Sequence, residues 1–417
     1  MSGPRAATGA IASPASPKDS ASQSVMGTYA RQDIVFARGE GSWLLTQSGE
    51  RYLDFGSGVA VNALGHAHPR LVAALTAQAS KLWHTSNVYR VEGQERVAAK
   101  LCELTFADRV FFCNSGAEAC EGAIKLARRY HFVSGNSERN RIITFHGAFH
   151  GRTLAALAAA GNDKYLEGFA PAAGGFDTVP FGDHDALLAA VGPATAGILI
   201  EPVQGEGGVR AVPVQCLKGL RDLCDKHGLM LILDEVQTGV GRTGKLFAHE
   251  LAGITPDIMA VAKGLGGGFP AGAILSTREA AKGMTPGTHG STFGGNPLAM
   301  AVAAEVLEIV AEAKFLEAVE LKALRLKQAL AGLKNQFSKV VEEVRGVGLL
   351  TGLKLTSAYQ PSDVVKSALL EKLLVIGASD NTVRVMPPLI VSNEEISEGV
   401  ERLQNALRRV ANNNAKA

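Results

Sequence analysis

Two short stretches hold the residues best suited to chemistry. In Leu229-Met230-Leu231-Ile232-Leu233-Asp234 an apolar run ends on an acid. In Asp257-Ile258-Met259-Ala260-Val261-Ala262-Lys263 a strand-like run ends on a lysine. Continuous apolar runs of this length read as buried parallel strands, which deliver their last residues to the carboxyl edge of a sheet. An acid and a lysine on adjacent strand ends suit pyridoxal phosphate. The amine can bond the cofactor's aldehyde carbon while the acid keeps the pyridine nitrogen protonated. Neither stretch is decisive alone.

Other segments supply candidate partners. Asn114-Ser115-Gly116-Ala117-Glu118 follows the short strand Arg109-Val110-Phe111-Phe112-Cys113, and Ser115 with Glu118 has capping-box spacing. Backbone N–H groups at Gly116 and Ala117 can hold an anion such as phosphate, although most capped helices bind nothing. In Phe145 to Thr153, Phe149 can face a planar cofactor and Arg152 a carboxylate; the plainer alternative is a core ring and a solvated charge. His146 and His150 stand four apart, but Gly147 and Gly151 argue against a helix there, and so against a metal site. The glycines around Glu206 in Glu201-Pro202-Val203-Gln204-Gly205-Glu206-Gly207-Gly208 favour a loop presenting an acid to a cavity. Gly264-Leu265-Gly266-Gly267-Gly268 fits neither dinucleotide nor Walker spacing. Ser291 and Thr292, between glycines, can add a phosphate contact.

These groups need a sheet to position them. From about Pro69 helices and strands alternate: a helix from Pro69 to Trp83, one from Gly116 to about Tyr130, and one from Val214 to His227 stopped by Gly228. Arg141 to Phe145, Phe176 to Val179 and Gly197 to Ile200 are further strands. The alternation predicts an α/β fold with a mostly parallel sheet covered on both faces. After Asn296-Pro297 come helices from Leu298 to Ala313 and Phe315 to Gln336. Short strands follow near residues 340–344, 348–355 and 383–386, with helices near 361–373 and from Asn393. The expected organisation is an extension over 1–24, a segment 25–68 packing with a smaller α+β part 298–417, and a large part 69–297.

At 417 residues, 46% hydrophobic and 20% charged, the chain can bury a sizeable core. Forty-two basic against 40 acidic residues leave +2, which gives no reason to expect a nucleic acid or a membrane surface as partner. Five cysteines without a C-x-x-C read as reduced residues in the cytoplasm. The Ser-, Ala- and Pro-rich start reads as disordered, and no apolar run is long enough to span a membrane.

In this order the segments resemble the class III (ornithine-type) pyridoxal-phosphate aminotransferases of fold type I, from about residue 26 to 408. The resemblance rests on Gly56 to His66, Phe112 to Ala119, Phe149 to Thr153, Glu201 to Glu206, Asp234 to Gly239 and Ala262 to Gly264. It implies pyridoxal 5′-phosphate as cofactor, with contacts from Ser115, Gly116, Ala117, Phe149, Asp234, Glu235, Val236, Gln237, Lys263 and Thr292. Thr292 would act from the neighbouring subunit of a homodimer. Lys263 would carry the cofactor and then the proton, and Asp234 would hold the pyridinium nitrogen. Arg152 and Ser291 would contact the amine donor. Arg384 would take a carboxylate of 2-oxoglutarate or glutamate, masked by Glu206 in the other half-reaction. Ornithine-specific members usually carry a tyrosine near Gly58-Val59; its absence here implies room for an acyl group and favours N2-acetylornithine. Succinylornithine, succinyl-diaminopimelate, ornithine and 4-aminobutyrate are the alternatives. An aminomutase would not need the Glu206–Arg384 pair, and a DNA-binding regulator would need a basic module that the chain lacks.

Overall fold

The computed structural model describes residues 24–414. The extension expected over 1–24 lies, but for Ser24, outside them. Among the described residues a seven-stranded sheet runs in the order Arg109–Cys113, Gly272–Ser276, Ile258–Val261, Met230–Asp234, Thr195–Ile200, Arg141–Phe145, Phe176–Val179. Only Gly272–Ser276 opposes its neighbours; the other strands share one direction. Every residue of Thr195–Ile200, Met230–Asp234 and Ile258–Val261 is buried, which accounts for their unbroken apolar sequences.

Strand alternation divides these residues between two layers. Met230 and Ile232 pack with Ala119, Cys120, Ala123 and Ala127 of the helix Gly116–Val133. Leu231 and Leu233 pack with Leu217, Leu220 and Cys224 of the helix Val214–His227. Small side chains let the first helix lie close to the sheet; a Cβ at Gly122 would collide with Ile274. Gly228 ends the second helix with φ of 62°, the left-handed conformation the sequence requires there. Farther along the sheet, Met259, Val261 and Leu275 pack against Val97 and Leu101 of Glu92–Leu104, and against Met300, Ala303 and Leu307 of Pro297–Val310.

A separate core unites the two ends of the chain. Leu53 and Phe55 pack with Leu326, Leu330, Leu353, Val383, Leu403 and Leu407. The hairpin strands Phe36–Glu40, Trp43–Thr46 and Arg51–Asp54 continue into Leu373–Leu374, which pairs in parallel with Arg51–Asp54. Beside them Val341–Val347, Leu350–Leu355, Thr382–Val385 and Ile376–Ala378 form an antiparallel sheet. The structure also differs from the sequence reading. The helix beginning at Pro69 stops at Ala79, short of the exposed Trp83. Glu92–Leu104 and Gly272–Ser276 are elements that the periodicity did not predict.

Candidate active site

The carboxyl ends of the parallel strands converge on one cavity of about 250 Å³. Its walls include Gly116, Ala117, Phe149, Arg152, Glu201, Glu206, Asp234, Val236, Gln237 and Lys263. Asp234 closes its strand on the same side as Met230 and Ile232, so its carboxylate faces the helix Gly116–Val133. There Oδ2 accepts from His150 Nδ1 at 2.7 Å and from Cys120 Sγ at 3.3 Å, while Oδ1 accepts from the Val236 N–H at 3.0 Å. Three donors therefore fix a buried carboxylate that would be costly to leave unsolvated. Burial pulls the His150 pKa down, but the hydrogen bond and charge of Asp234, with the charge of Glu201, prevail and raise it overall.

The parallel register sets Asp234 opposite Ala260, so Lys263 leaves the neighbouring strand three residues farther on. Lys263 adopts φ of 44°, a conformation uncommon for a side chain with a Cβ and often retained where function requires it. Burial holds its amine below the usual lysine range, with Arg384 adding in the same direction. Asp234, Glu201 and Glu206 pull the other way. Glu201 shares the cavity, and its Oε1 accepts from the Phe149 N–H at 2.8 Å. Burial and then the charge of Asp234 push its carboxyl up to about 7, against His150, the Phe149 N–H and Lys263.

Ser115 caps the helix that opens the phosphate side, accepting from the Glu118 N–H at 3.2 Å. Glu118 does not close the box on Ser115; it accepts from the Asn114 N–H at 2.5 Å, one residue earlier. The N–H groups of Gly116 and Ala117 open the helix and have no intrahelical acceptor. A Cβ on Gly116 would lie 2.6 Å from Val236 Cγ1, so glycine keeps this turn close to the cavity floor. The side-chain Oε1 of Gln237 is buried without a partner. A lysine, a fixed acid, free N–H groups at a helix start, a ring and an unpartnered amide together fit a flat, phosphorylated pyridine aldehyde.

A second charge system adjoins the first. Arg384, buried in the strand Thr382–Val385, donates from Nη1 to Glu206 Oε1 at 2.7 Å and from Nη2 to the Gly377 carbonyl at 3.0 Å. Its Nε has no partner. Glu206 lines the cavity and is partly open to solvent, so it lies between Arg384 and the space beside Lys263. Arg152 stands at the mouth, with its guanidinium over aromatic rings.

Not every expected contact reaches this cavity. The Ser115 hydroxyl accepts in its cap and, among the described residues, keeps its own O–H free to donate. Glu235, expected beside the cofactor, turns its carboxylate to Thr238 Oγ1 at 2.7 Å and to the N–H groups of Ala248 and His249, each at 2.8 Å. That side chain fastens the following loop, which corrects the expectation. Ser291 Oγ accepts from the Gly294 N–H at 2.9 Å, and Thr292 is exposed outside the cavity. Cys120 and His150 are the partners of Asp234 that sequence reasoning missed. Helical rotation from Ser115 would have turned Cys120 toward the sheet, but nothing in the sequence marks which strand end it meets.

Lysine, anchored acid and helix-start anion site at the edge of the large sheet, with a buried arginine reaching in from the smaller antiparallel sheet, define a pyridoxal-phosphate enzyme, and the chain belongs to the class III aminotransferases, whose family model matches residues 27–407. The acetylornithine aminotransferase of Mesorhizobium japonicum is 60% identical over 385 residues, covering 92% of this chain and 96% of that protein. The enzyme of the same name from Brucella melitensis is 59% identical over 384 residues, covering 92% and 95%. Among solved structures, the ornithine aminotransferase of Toxoplasma gondii superposes with a TM-score of 0.91 at 32% identity, covering 96% of each chain. The N-acetylornithine aminotransferase of Stenotrophomonas maltophilia superposes at 0.82 with 38% identity, covering 92% of this chain and 98% of that one.

Proposed function

We propose that the chain transfers the δ-amino group of N2-acetyl-L-ornithine to 2-oxoglutarate in two successive half-reactions, with pyridoxal 5′-phosphate as cofactor. The observation that carries this reading is the closed Arg384–Glu206 pair over the cavity of Lys263 and Asp234. A buried cation covered by an acid lets one pocket accept first a chain that carries an amine and no second carboxylate, and then, with the acid displaced, a second carboxylate. The names of the 55–60% identical relatives support the acetylated donor.

When bound, pyridoxal 5′-phosphate supplies an aldehyde that takes up amines and a protonated ring that stabilises negative charge on the adjoining carbon. Lys263 would be the group that holds it, because burial favours the neutral, nucleophilic amine. The same Nζ, when free, would be the base that moves the proton of the substrate's δ-carbon. Asp234, fixed by His150, Cys120 and Val236, would keep the ring nitrogen protonated. Gln237 would offer its amide to the ring's phenolic oxygen, and Phe149 would pack on the ring. The N–H groups of Gly116 and Ala117, with the Ser115 region, hold the phosphate. Arg152 binds the donor's α-carboxylate by its planar fork.

We further infer a homodimer in which Thr292 serves the neighbouring site. Thr292 and Phe293 are exposed, with Phe293 against His84 and Asn87 bonded to the Ser291 carbonyl, in a region whose 83–89 stretch also exposes Trp83 and Tyr89; a second copy would cover it. We assign the smaller unit to 25–68 with the residues after Val310, supported by the core that Leu53 and Phe55 share with the C-terminal helices; the helix Pro297–Val310 packs on the large sheet, which moves the expected boundary at 298. Free thiols at all five cysteines support the cytoplasm as the compartment. Among the described residues no helix is long and apolar enough to cross a membrane. A donor panel of acetylornithine, succinylornithine, ornithine and 4-aminobutyrate, with glutamate as readout, tests the substrate. Acetylornithine should give the highest kcat/KM, and a higher value for ornithine would overturn the assignment.

A further inference from the structure

We propose that Tyr165 is a specificity-determining positioning residue: its ring is the platform that holds Arg152 ready for the donor's carboxylate. The proposal rests on the reading of Arg152 as the carboxylate binder. Tyr165 lies in the short helix Asp163–Leu166, whose start is fixed by Asn162: its Oδ1 accepts from the Lys164 N–H at 3.1 Å and its carbonyl from the Tyr165 N–H at 2.9 Å. This segment is separate from the strands that deliver Asp234 and Lys263, yet its ring stands against Arg152 and Phe149 of the cavity wall. Arg152 Cζ stands 3.9 Å from the Tyr165 ring centroid and 5.3 Å from that of Phe149. The two rings meet nearly perpendicularly, at 89° with centroids 6.5 Å apart.

The significance lies in what else holds Arg152. Among the described residues its guanidinium makes no ion pair and no hydrogen bond, and the side chain is exposed. A long arginine in solvent samples many rotamers, and ordering it on binding costs affinity. A carboxylate partner would order it too, but would occupy the donors that the substrate needs. A ring face orders the guanidinium while leaving its in-plane N–H groups free. Phe149 connects this platform to the cofactor side of the cavity, since its own N–H is anchored to Glu201. The phenolic hydroxyl of Tyr165 has no partner among the described residues, so the ring and not the hydroxyl carries the effect.

The test is steady-state kinetics of the holoenzyme with acetylornithine and with N-acetylputrescine, which lacks the α-carboxylate. Tyr165→Leu should raise KM for acetylornithine about two- to five-fold, the range for losing a cation–ring contact at an exposed site. Its kcat, its KM for 2-oxoglutarate and its use of N-acetylputrescine should stay close to those of the native enzyme, which also reports an intact fold. Tyr165→Phe should restore KM. In an Arg152→Ala background Tyr165→Leu should cost nothing more, because the group it positions is gone. If Arg152→Ala cripples acetylornithine use while Tyr165→Leu leaves KM unchanged, the platform is refuted and the carboxylate reading stands. If Tyr165→Leu adds its full loss in the Arg152→Ala background, or slows both amines alike, the platform is also refuted. If Arg152→Ala has no effect on acetylornithine, the carboxylate reading itself falls and the platform with it.

Discussion

Glu206→Ala should make glutamate a better amino donor. In the structure the Glu206 carboxylate occupies the Arg384 Nη1 at 2.7 Å, and any incoming carboxylate must displace it. Arg384 is 2% exposed, but Glu206 is open enough to solvent that the pair lies between a surface bridge and a buried one. A surface bridge contributes about 0–1 kcal/mol, and breaking a buried one costs about 3–5 kcal/mol. An intermediate value of about 1–2 kcal/mol for the competition corresponds to roughly a five- to thirty-fold gain in apparent affinity for glutamate, at 1.36 kcal/mol per decade. The same removal leaves Arg384 with only the Gly377 carbonyl during the acetylornithine half-reaction, so that half should not improve. Arg384→Ala reverses the pattern. Loss of a charge-assisted contact should lower kcat/KM for 2-oxoglutarate by about two decades, with little change in the first half-reaction. Rapid mixing of the holoenzyme separately with acetylornithine and with glutamate, following the cofactor's absorbance, resolves the halves. Equal changes in both halves for both variants would refute the exchange.

Lys263→Ala should abolish the borohydride-reducible bond between chain and cofactor and lower turnover by orders of magnitude; mass spectrometry after reduction checks the bond. Asp234→Asn should preserve the fold, measured by circular dichroism, and slow proton removal from the δ-carbon, because a neutral amide cannot keep the ring nitrogen protonated. Native turnover with no increase in the deuterium isotope effect at the δ-carbon would count against that role. Glu201 should make stability fall with pH. Its folded pKa of about 7 lies above the usual carboxyl value, so between roughly pH 4.5 and 7 the native state binds more protons than the unfolded chain. Its stabilising contribution is thus present below that window and lost as pH rises through it. Urea midpoints at pH 5 and 8 should differ less in Glu201→Gln than in the native protein.

The strands delivering Asp234 and Lys263 were legible because burial on both faces writes itself as an unbroken apolar run. The helix end at Gly228 was legible through its left-handed cap. Gly272–Ser276 was not, since five small and apolar residues after a glycine-rich loop do not reveal that the strand runs against its neighbours. Glu206 and Arg384 lie 178 residues apart, and no local pattern could pair them without the family resemblance. Glu235 shows the converse limit. The resemblance implied a cofactor contact, but its carboxylate is bound by the 248–249 backbone instead. Cys120 became a partner of Asp234 only through the close seating of its helix, which Gly122 permits.

Nitrogen-15 transfer tests the central claim most directly. The holoenzyme would be given acetylornithine labelled only at the δ-nitrogen, with 2-oxoglutarate, and glutamate would be analysed by mass spectrometry. The account predicts label in glutamate one-for-one with donor consumed, none from donor labelled at the α-nitrogen, and loss of the transfer in Lys263→Ala. Consumption of acetylornithine without labelled glutamate, or undiminished transfer in Lys263→Ala, would contradict it.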